Sequence, residues 1–280
     1  MSDFLRRTLT AVWIVILILG GFWLHPLSFF ITGLLILTGS LYEYYVLIRE
    51  TGTRPQMTGG IAAGIILYSV STLVSAGLLS ELYFLVLIPV VLLIIVSELY
   101  RKQDKPFNSL AHTIFGLVYI GVPLSLFPFA AFSRTGISSL IPQNSLVFSP
   151  GLVIGFLLLL WLNDTGAYVT GITFGRHRIM ERISPRKSWE GFIGGLVVAA
   201  LTGWLISGWL GVLNPAGWII TAVIISVSGT FGDLVESMLK RSLGVKDSGS
   251  VMPGHGGFLD RFDSTFTSFP LVYLFISLFG

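Results

Sequence analysis

The sequence predicts an all-α, polytopic integral membrane protein: a helical bundle of about nine transmembrane helices with a cytoplasmic N-terminus. Three observations carry this. Of 280 residues, 53% are hydrophobic and only 11% charged, where a soluble domain has about 25% charged residues, and the mean hydropathy is +0.84. Several uninterrupted apolar runs reach the roughly 20 residues a spanning helix needs. A bilayer core offers no water to open backbone groups, so such runs fold as helices. The polar–apolar alternation of a membrane β-barrel is absent.

Taken in order, spanning segments are expected at about 9–24, 27–48, 59–79, 82–99, 110–132, 149–170, 191–212, 216–236 and 264–279, with ends placed to within a few residues. The start, MSDFLRRTLTAVWIVILILGGFWL, has the charge-then-apolar layout of a signal peptide. His25-Pro26-Leu27 follows in place of a small-x-small cleavage site, so it reads as a retained first helix.

Charge tests the count. With the N-terminus in the cytoplasm, the cytoplasmic segments hold Arg6 and Arg7, Arg49 and Arg54, and Arg101, Lys102 and Lys105. They also hold Arg176, Arg178, Arg182, Arg186 and Lys187, then Lys240, Arg241, Lys246 and Arg261. Of the 17 Lys and Arg residues only Arg134 falls outside. One miscounted helix would invert every later loop and destroy this asymmetry. The external connections at His25-Pro26, Ser80-Glu81 and Asn214-Pro215 are tight turns. The simplest organisation is one membrane domain over 1–280, with helices of 1–135 mainly structural and 149–280 carrying the chemistry.

The net charge of +3 is too small to argue for nucleic acid and fits positively charged cytoplasmic loops. With no Cys, disulfides, thiolate catalysis and Cys-based metal sites are excluded.

Four constellations could carry chemistry. Asn163-Asp164-Thr165-Gly166-Ala167-Tyr168 interrupts a long apolar run. A carboxylate at membrane depth costs roughly 2.5–3.5 kcal/mol and therefore faces the bundle interior with a partner. An interhelical hydrogen-bond knot is the ordinary explanation, but the clustering of polar groups favours function. In the basic loop from Phe174 to Gly191, Arg178 and Arg182 are explained by positive-inside signalling. The Ser184–Glu190 stretch reads instead as a Pro-fixed turn offering Lys187 and two hydroxyls beside Trp189, an arrangement that suits phosphate.

Third comes Gly232–Arg241. Asp233, Ser237 and Arg241 share a helix face, Glu236 and Lys240 form an i, i+4 pair, and Gly244 is the expected stop. A snorkelling helix end explains Lys240 and Arg241 but not Asp233, one turn deeper. Fourth is His255–Asp263. If a helix begins near Leu259, Asp260 and Asp263 lie on one side of its first turn, as hard oxygen ligands for Mg²⁺. Glycines before them let backbone N–H groups approach a phosphate. Complementing the helix N-terminus would explain one such carboxylate, but Arg261 between them, with cations nearby in sequence, suits a polyphosphate better. A lone His255 fits acid–base, phosphate hydrogen-bonding and loop-forming roles, with general-base catalysis ranked below the other two.

These residues resemble a family signature. Ser237-x-Leu239-Lys240-Arg241-x4-Lys246-Asp247-x-Gly249-x3-Pro253-x-His255-Gly256-Gly257-Phe258-x-Asp260-Arg261-Phe262-Asp263 is similar to that of the phosphatidate cytidylyltransferases, or CDP-diacylglycerol synthases. Met252 stands where the pattern usually has Leu, Ile or Phe, a volume-conserving change. The blocks Asn163-Asp164, Phe174-Gly175-Arg176, Ser184-Pro185-x-Lys187-Ser188-Trp189-Glu190-Gly191 and Gly232-Asp233-Leu234 also resemble family blocks, in order. The first five helices match only as apolar helices.

The resemblance implies that CTP and phosphatidate give CDP-diacylglycerol and pyrophosphate, with Mg²⁺ and room for a second cation. It implies a bacterial inner (plasma) membrane, a site facing the cytoplasm, membrane lipids as surroundings and no nucleic acid, and leaves open a homo-oligomer. Asp233, Asp260 and Asp263 would be metal ligands. Lys240, Arg241, Lys246 and Arg261 would neutralise phosphates, with Asp247 and His255 completing the catalytic set. Asn163, Asp164, Lys187, Ser188, Ser237, Gly256 and Gly257 would line the substrate cavity. Two rivals remain: a CTP-dependent polyprenol or phytol kinase, against which the complete signature argues, and an ion-coupled transporter. The transporter needs a polar path through both leaflets, and the external half of the chain is nearly devoid of polar residues.

Overall fold

The computed structural model describes residues 3–133, 147–245 and 257–279. It is helical almost throughout. Eight helical segments of the described residues are long and apolar enough to cross a membrane: Pro26–Arg49, Met57–Ser75, Glu81–Glu98, Pro106–Ala131, Gly151–Phe174, Trp189–Leu210, Pro215–Ser242 and Leu259–Phe279. A shorter apolar stretch, Trp13–Leu24, ends the first helix, α1 (Asp3–Leu24). This is an all-α integral membrane protein. Large apolar side chains left open on its helices, such as Leu92, Leu93, Leu201 and Trp209, are the surface that lipid covers.

Cα packing divides the chain into two compact units: Met1–Pro150 with Asp247–Arg261, and Gly151–Lys246 with Phe262–Gly280. In the first unit, α1 turns into α2 (Pro26–Arg49) at His25. The His25 Nδ1 accepts the Leu27 N–H, Ser28 Oγ accepts the His25 N–H, and Pro26 opens the helix where its missing N–H costs nothing. Phe22 and Phe29 pack edge to face at 4.9 Å. Against α2 lies α3 (Met57–Ser75), where Gly60 leaves space for the Tyr45 ring, and the Tyr45 hydroxyl donates to the Thr113 carbonyl. A short 3₁₀ turn at Glu81–Val86 leads into α4 (Leu87–Glu98). Buried Glu98 is held there by Arg101 at 2.7 Å and by Gln56.

The next span runs through α5 (Pro106–Gly116), a π turn at Leu117–Gly121, α6 (Val122–Ser125) and α7 (Phe127–Ala131). Pro123 and Pro128 account for the interruptions, since each removes a donor from the helical ladder. Strands β1 (Phe132–Ser133) and β2 (Val147–Phe148) then pair antiparallel.

The second unit begins with α8 (Gly151–Phe174). A hairpin of β3 (Arg178–Met180) and β4 (Ser184–Ser188) joins it to α9 (Trp189–Leu210). The sequence suggests a Pro-fixed turn within Ser184–Glu190, and here the structure differs. The turn is at 181–183, and Pro185 lies in β4. A two-stranded ribbon has free edges, where Pro is tolerated. Small residues let α8 and α9 approach closely: a Cβ on Gly195 would meet the Asn163 carbonyl, and one on Gly191 the Ala167 carbonyl.

Helix α10 (Pro215–Ser242) is capped by Asn214, whose Oδ1 accepts the Gly217 N–H at 2.7 Å. It extends beyond the expected end at 236, and Gly244 at φ +71° follows its close, a left-handed conformation that only glycine adopts freely. Within this unit α11 (Leu259–Phe279) packs on α10 through small polar groups. Ser264 Oγ donates to the Gly229 carbonyl, Thr267 Oγ1 to the Ser228 carbonyl, and Thr267 fills the notch at Gly232.

Candidate active site

In the second unit, three carboxylates converge. Asp233 and Glu236 come from successive positions on one side of α10, and Asp263 from the first turns of α11. One oxygen of each lies within 4.8 Å of the others. Glu236 is 1% exposed and Asp263 8%. Mutual repulsion between like charges this close is worth a few kcal/mol at an effective dielectric near 20, so the arrangement calls for a cation.

Lysines offset part of it. Lys187 Nζ lies 2.6 Å from Asp233 Oδ2 and donates to the Thr230 carbonyl at 3.2 Å. Lys240 Nζ lies 2.5 Å from Glu236 Oε2, as the i, i+4 spacing predicts. Asp164, on α8, is within electrostatic range of Asp233, Asp263 and Lys187. Four carboxylates thus stand against two ammonium groups. Hard oxygen donors in this number suit a divalent cation that keeps further positions for phosphate oxygens.

Hydrogen bonds orient these groups. Ser237 Oγ donates to Asp233 Oδ1 at 3.1 Å, and the Ser264 N–H donates to Asp263 Oδ1 at 2.5 Å. Buried Asn163 ties α8 to α10 by accepting from Ser226 Oγ at 2.6 Å, and its Nδ2 points to Asp164. Ser188 is the N-cap of α9: its Oγ accepts the Gly191 N–H at 3.1 Å. Its position directly after Lys187 makes the capped helix start the mount for that lysine.

In the first turn of α9, Glu190 accepts from the backbone N–H groups of Arg176 and His177 and contacts the His177 ring at 2.6 Å. Arg176, Arg178 and Trp189 line a cavity of about 960 Å³ there. None of the clustered carboxylates belongs to its lining.

In the first unit, Gly257 and Asp260 are joined: the Gly257 N–H donates to Asp260 Oδ2 at 3.0 Å. Arg261, exposed, donates its backbone N–H to the Phe258 carbonyl.

A cytidylyltransferase family model matches residues 5–279. The chain belongs to the cytidylyltransferase family. Among its relatives is a protein named phosphatidate cytidylyltransferase from Staphylococcus saprophyticus, 46% identical over 121 residues, which is 42% of this chain and 46% of that protein. Proteins of the same name from Staphylococcus haemolyticus and Staphylococcus epidermidis are 45% and 42% identical over 120 residues, with the same shares. In the aligned stretch the chain thus spans a little under half the length of these relatives.

In this cytidylyltransferase-family chain, the described residues bring together Asn163, Asp164, Lys187, Asp233, Ser237, Lys240 and Asp263 of the sequence-predicted set. Arg241 is exposed near the end of α10, its guanidinium reaching the Val245 carbonyl at 3.5 Å. Lys246, Asp247, His255 and Gly256 lie outside the described residues. Sequence reasoning did not place Glu236 among the metal ligands, although it paired that residue with Lys240. The signal was there, since Asp233 and Glu236 stand i, i+3 and so share a helix side.

Proposed function

We propose that the chain transfers a cytidylyl group from CTP to phosphatidate, giving CDP-diacylglycerol and pyrophosphate. The observation that carries this reading is the Asp233–Glu236–Asp263 cluster with Lys187 against it, in a chain whose family transfers cytidylyl groups and whose named relatives act on phosphatidate. A bound Mg²⁺ at these three carboxylates, with room for a second cation, would neutralise phosphate oxygens and stabilise the leaving pyrophosphate.

The lipid phosphate monoester is largely dianionic near neutral pH, its second pKa being about 6. One of its oxygens can therefore attack the α-phosphorus of CTP without a strong general base. A bond forms from that oxygen to the α-phosphorus, and the bond from the α-phosphorus to the bridging oxygen of the pyrophosphate breaks. The chief barrier is bringing two anions together, which fixed cations lower. Lys187, held beside Asp233, and Lys240, beside Glu236, supply that charge, with Arg241, Lys246 and Arg261 as further phosphate contacts. Asp260 would add a carboxylate to the metal set. Asn163, Asp164, Ser188, Ser237 and the Gly256-Gly257 turn would shape the cavity, and Asp247 and His255 would complete it.

The loop charges support a site facing the cytoplasm, in a bacterial inner membrane.

The test is incubation of purified protein in detergent with labelled CTP, Mg²⁺ and phosphatidate. Formation of CDP-diacylglycerol and pyrophosphate supports the proposal. Release of CDP with a phosphorylated polyprenol or phytol, and no CDP-diacylglycerol, would replace it with a lipid-kinase reading.

A further inference from the structure

Glu43 of α2 is a buried carboxylate, 2% exposed, to which the transfer chemistry gives no task. Its Oε2 accepts the Leu259 backbone N–H at 2.8 Å, and the Phe258 amide bonds it as well. The two partners stand 216 residues apart in sequence yet belong to the same compact unit. Gly257 lies directly against the same carboxylate, where a Cβ would collide with both oxygens. One turn earlier in α2, Gly39 leaves the space taken by the Phe258 ring, which a Cβ would approach to 2.7 Å. Helix α2 therefore grips three consecutive residues, Gly257 by shape, Phe258 by its ring and Leu259 by a hydrogen bond.

The physical reason for a carboxylate here is the start of α11. The first N–H groups of a helix have no partner within it and carry partial positive charge. A buried carboxylate is costly unless donors meet it, and Oε2 of this one meets the N-terminus of α11. The grip reaches one residue further. Asp260 Oδ2 accepts the Gly257 N–H, so whatever holds Gly257 also orients the Asp260 carboxylate.

We infer that Glu43 is a positioning residue for the transfer reaction: it fixes the backbone of Gly257 to Leu259 and, through it, the setting of Asp260 and Arg261. This rests on the function proposed above. Glu43 touches neither substrate nor metal in this role.

The experiment compares full-length wild type with Glu43→Ala, Glu43→Gln and Gly257→Ala. It measures CDP-diacylglycerol formation across Mg²⁺ and CTP concentrations and amide hydrogen exchange over residues 257–262. Glu43→Ala should lower kcat at least tenfold and raise the Mg²⁺ concentration for half-maximal rate, with the CTP KM changed less than threefold. Glu43→Gln keeps an acceptor oxygen for the Leu259 N–H and should return to within about fivefold of wild type. Gly257→Ala should behave like Glu43→Ala, and both should exchange the Phe258 and Leu259 amides faster.

A folded Glu43→Ala with wild-type kcat and Mg²⁺ dependence overturns the inference, as does equal loss in the Ala and Gln variants. Should Glu43→Ala not fold, wild-type turnover in Gly257→Ala overturns it instead. If wild type itself makes no CDP-diacylglycerol, the transfer reading fails. The exchange of Phe258 and Leu259 amides then still decides whether Glu43 anchors them.

Discussion

Lys187 shows how much rests on single side chains. Its ammonium group faces Asp233 at 2.6 Å and the Thr230 carbonyl, so a bound phosphate would find it already aimed. Replacing it with Met keeps the aliphatic stem and removes the charge. Turnover should fall by about 10²–10³, the usual loss when one preorganised electrostatic contact is deleted, and steady-state kcat checks it. The carboxylates make a second prediction. Asp263→Asn and Glu236→Gln keep shape while removing one negative charge each, and each should cut activity by about a hundredfold or more. Membrane insertion should be intact in both. Mn²⁺ binding followed by paramagnetic resonance should weaken in parallel, and wild-type turnover in Glu236→Gln would remove that residue from the cation set.

At the scale of elements, helix geometry explains why those side chains meet. Asp233, Glu236, Ser237 and Lys240 follow one another at i, i+3, i+4 and i+7 along α10, so they occupy one broad side of the helix. Asp263 joins them because α10 and α11 approach closely where Gly229 and Gly232 carry no side chain. Gly232→Val would push against Thr267, which fills that notch. Overpacking of this kind costs about 1–3 kcal/mol, so thermal unfolding in detergent should shift down. If the proposed cation site is right, the Mg²⁺ concentration needed should rise with it, since the proposed ligands lie on both helices. Ser188→Ala tests a separate joint. Loss of an N-cap side chain costs about 1 kcal/mol, and the start of α9 should fray under hydrogen exchange.

The whole molecule is organised by the bilayer. Apolar side chains such as Leu92, Leu93, Trp204 and Trp209 remain open on the helices, because lipid and not protein is their solvent. Lys and Arg residues gather in alternate connections, and that bias sets orientation across a membrane. The absence of Cys makes the orientation directly measurable with single introduced thiols. Cys at Lys102 or Arg182 should react with a membrane-impermeant maleimide only from the cytoplasmic side, and Cys at Ser80 only from outside. Labelling of Lys102→Cys and Ser80→Cys from the same side would overturn the alternating topology.

The sequence by itself determined the all-α membrane class, because long apolar runs have only one way to satisfy their backbone in lipid. It also placed Asp164 and Asp233 among the functional candidates because charge below the membrane surface is costly, and Lys187, Lys240 and Asp263 because cations and hard carboxylates gathered in polar stretches suit a phosphate and its metal. It misread Ser184–Ser188, where Pro185 signals a turn locally but strand pairing with Arg178–Met180 prevails. It paired Glu236 with Lys240 and did not single out Glu43. Those roles belong to tertiary structure. Which carboxylates converge, and which accepts a backbone N–H 216 residues away, depends on close approaches between helices that periodicity along one chain does not encode.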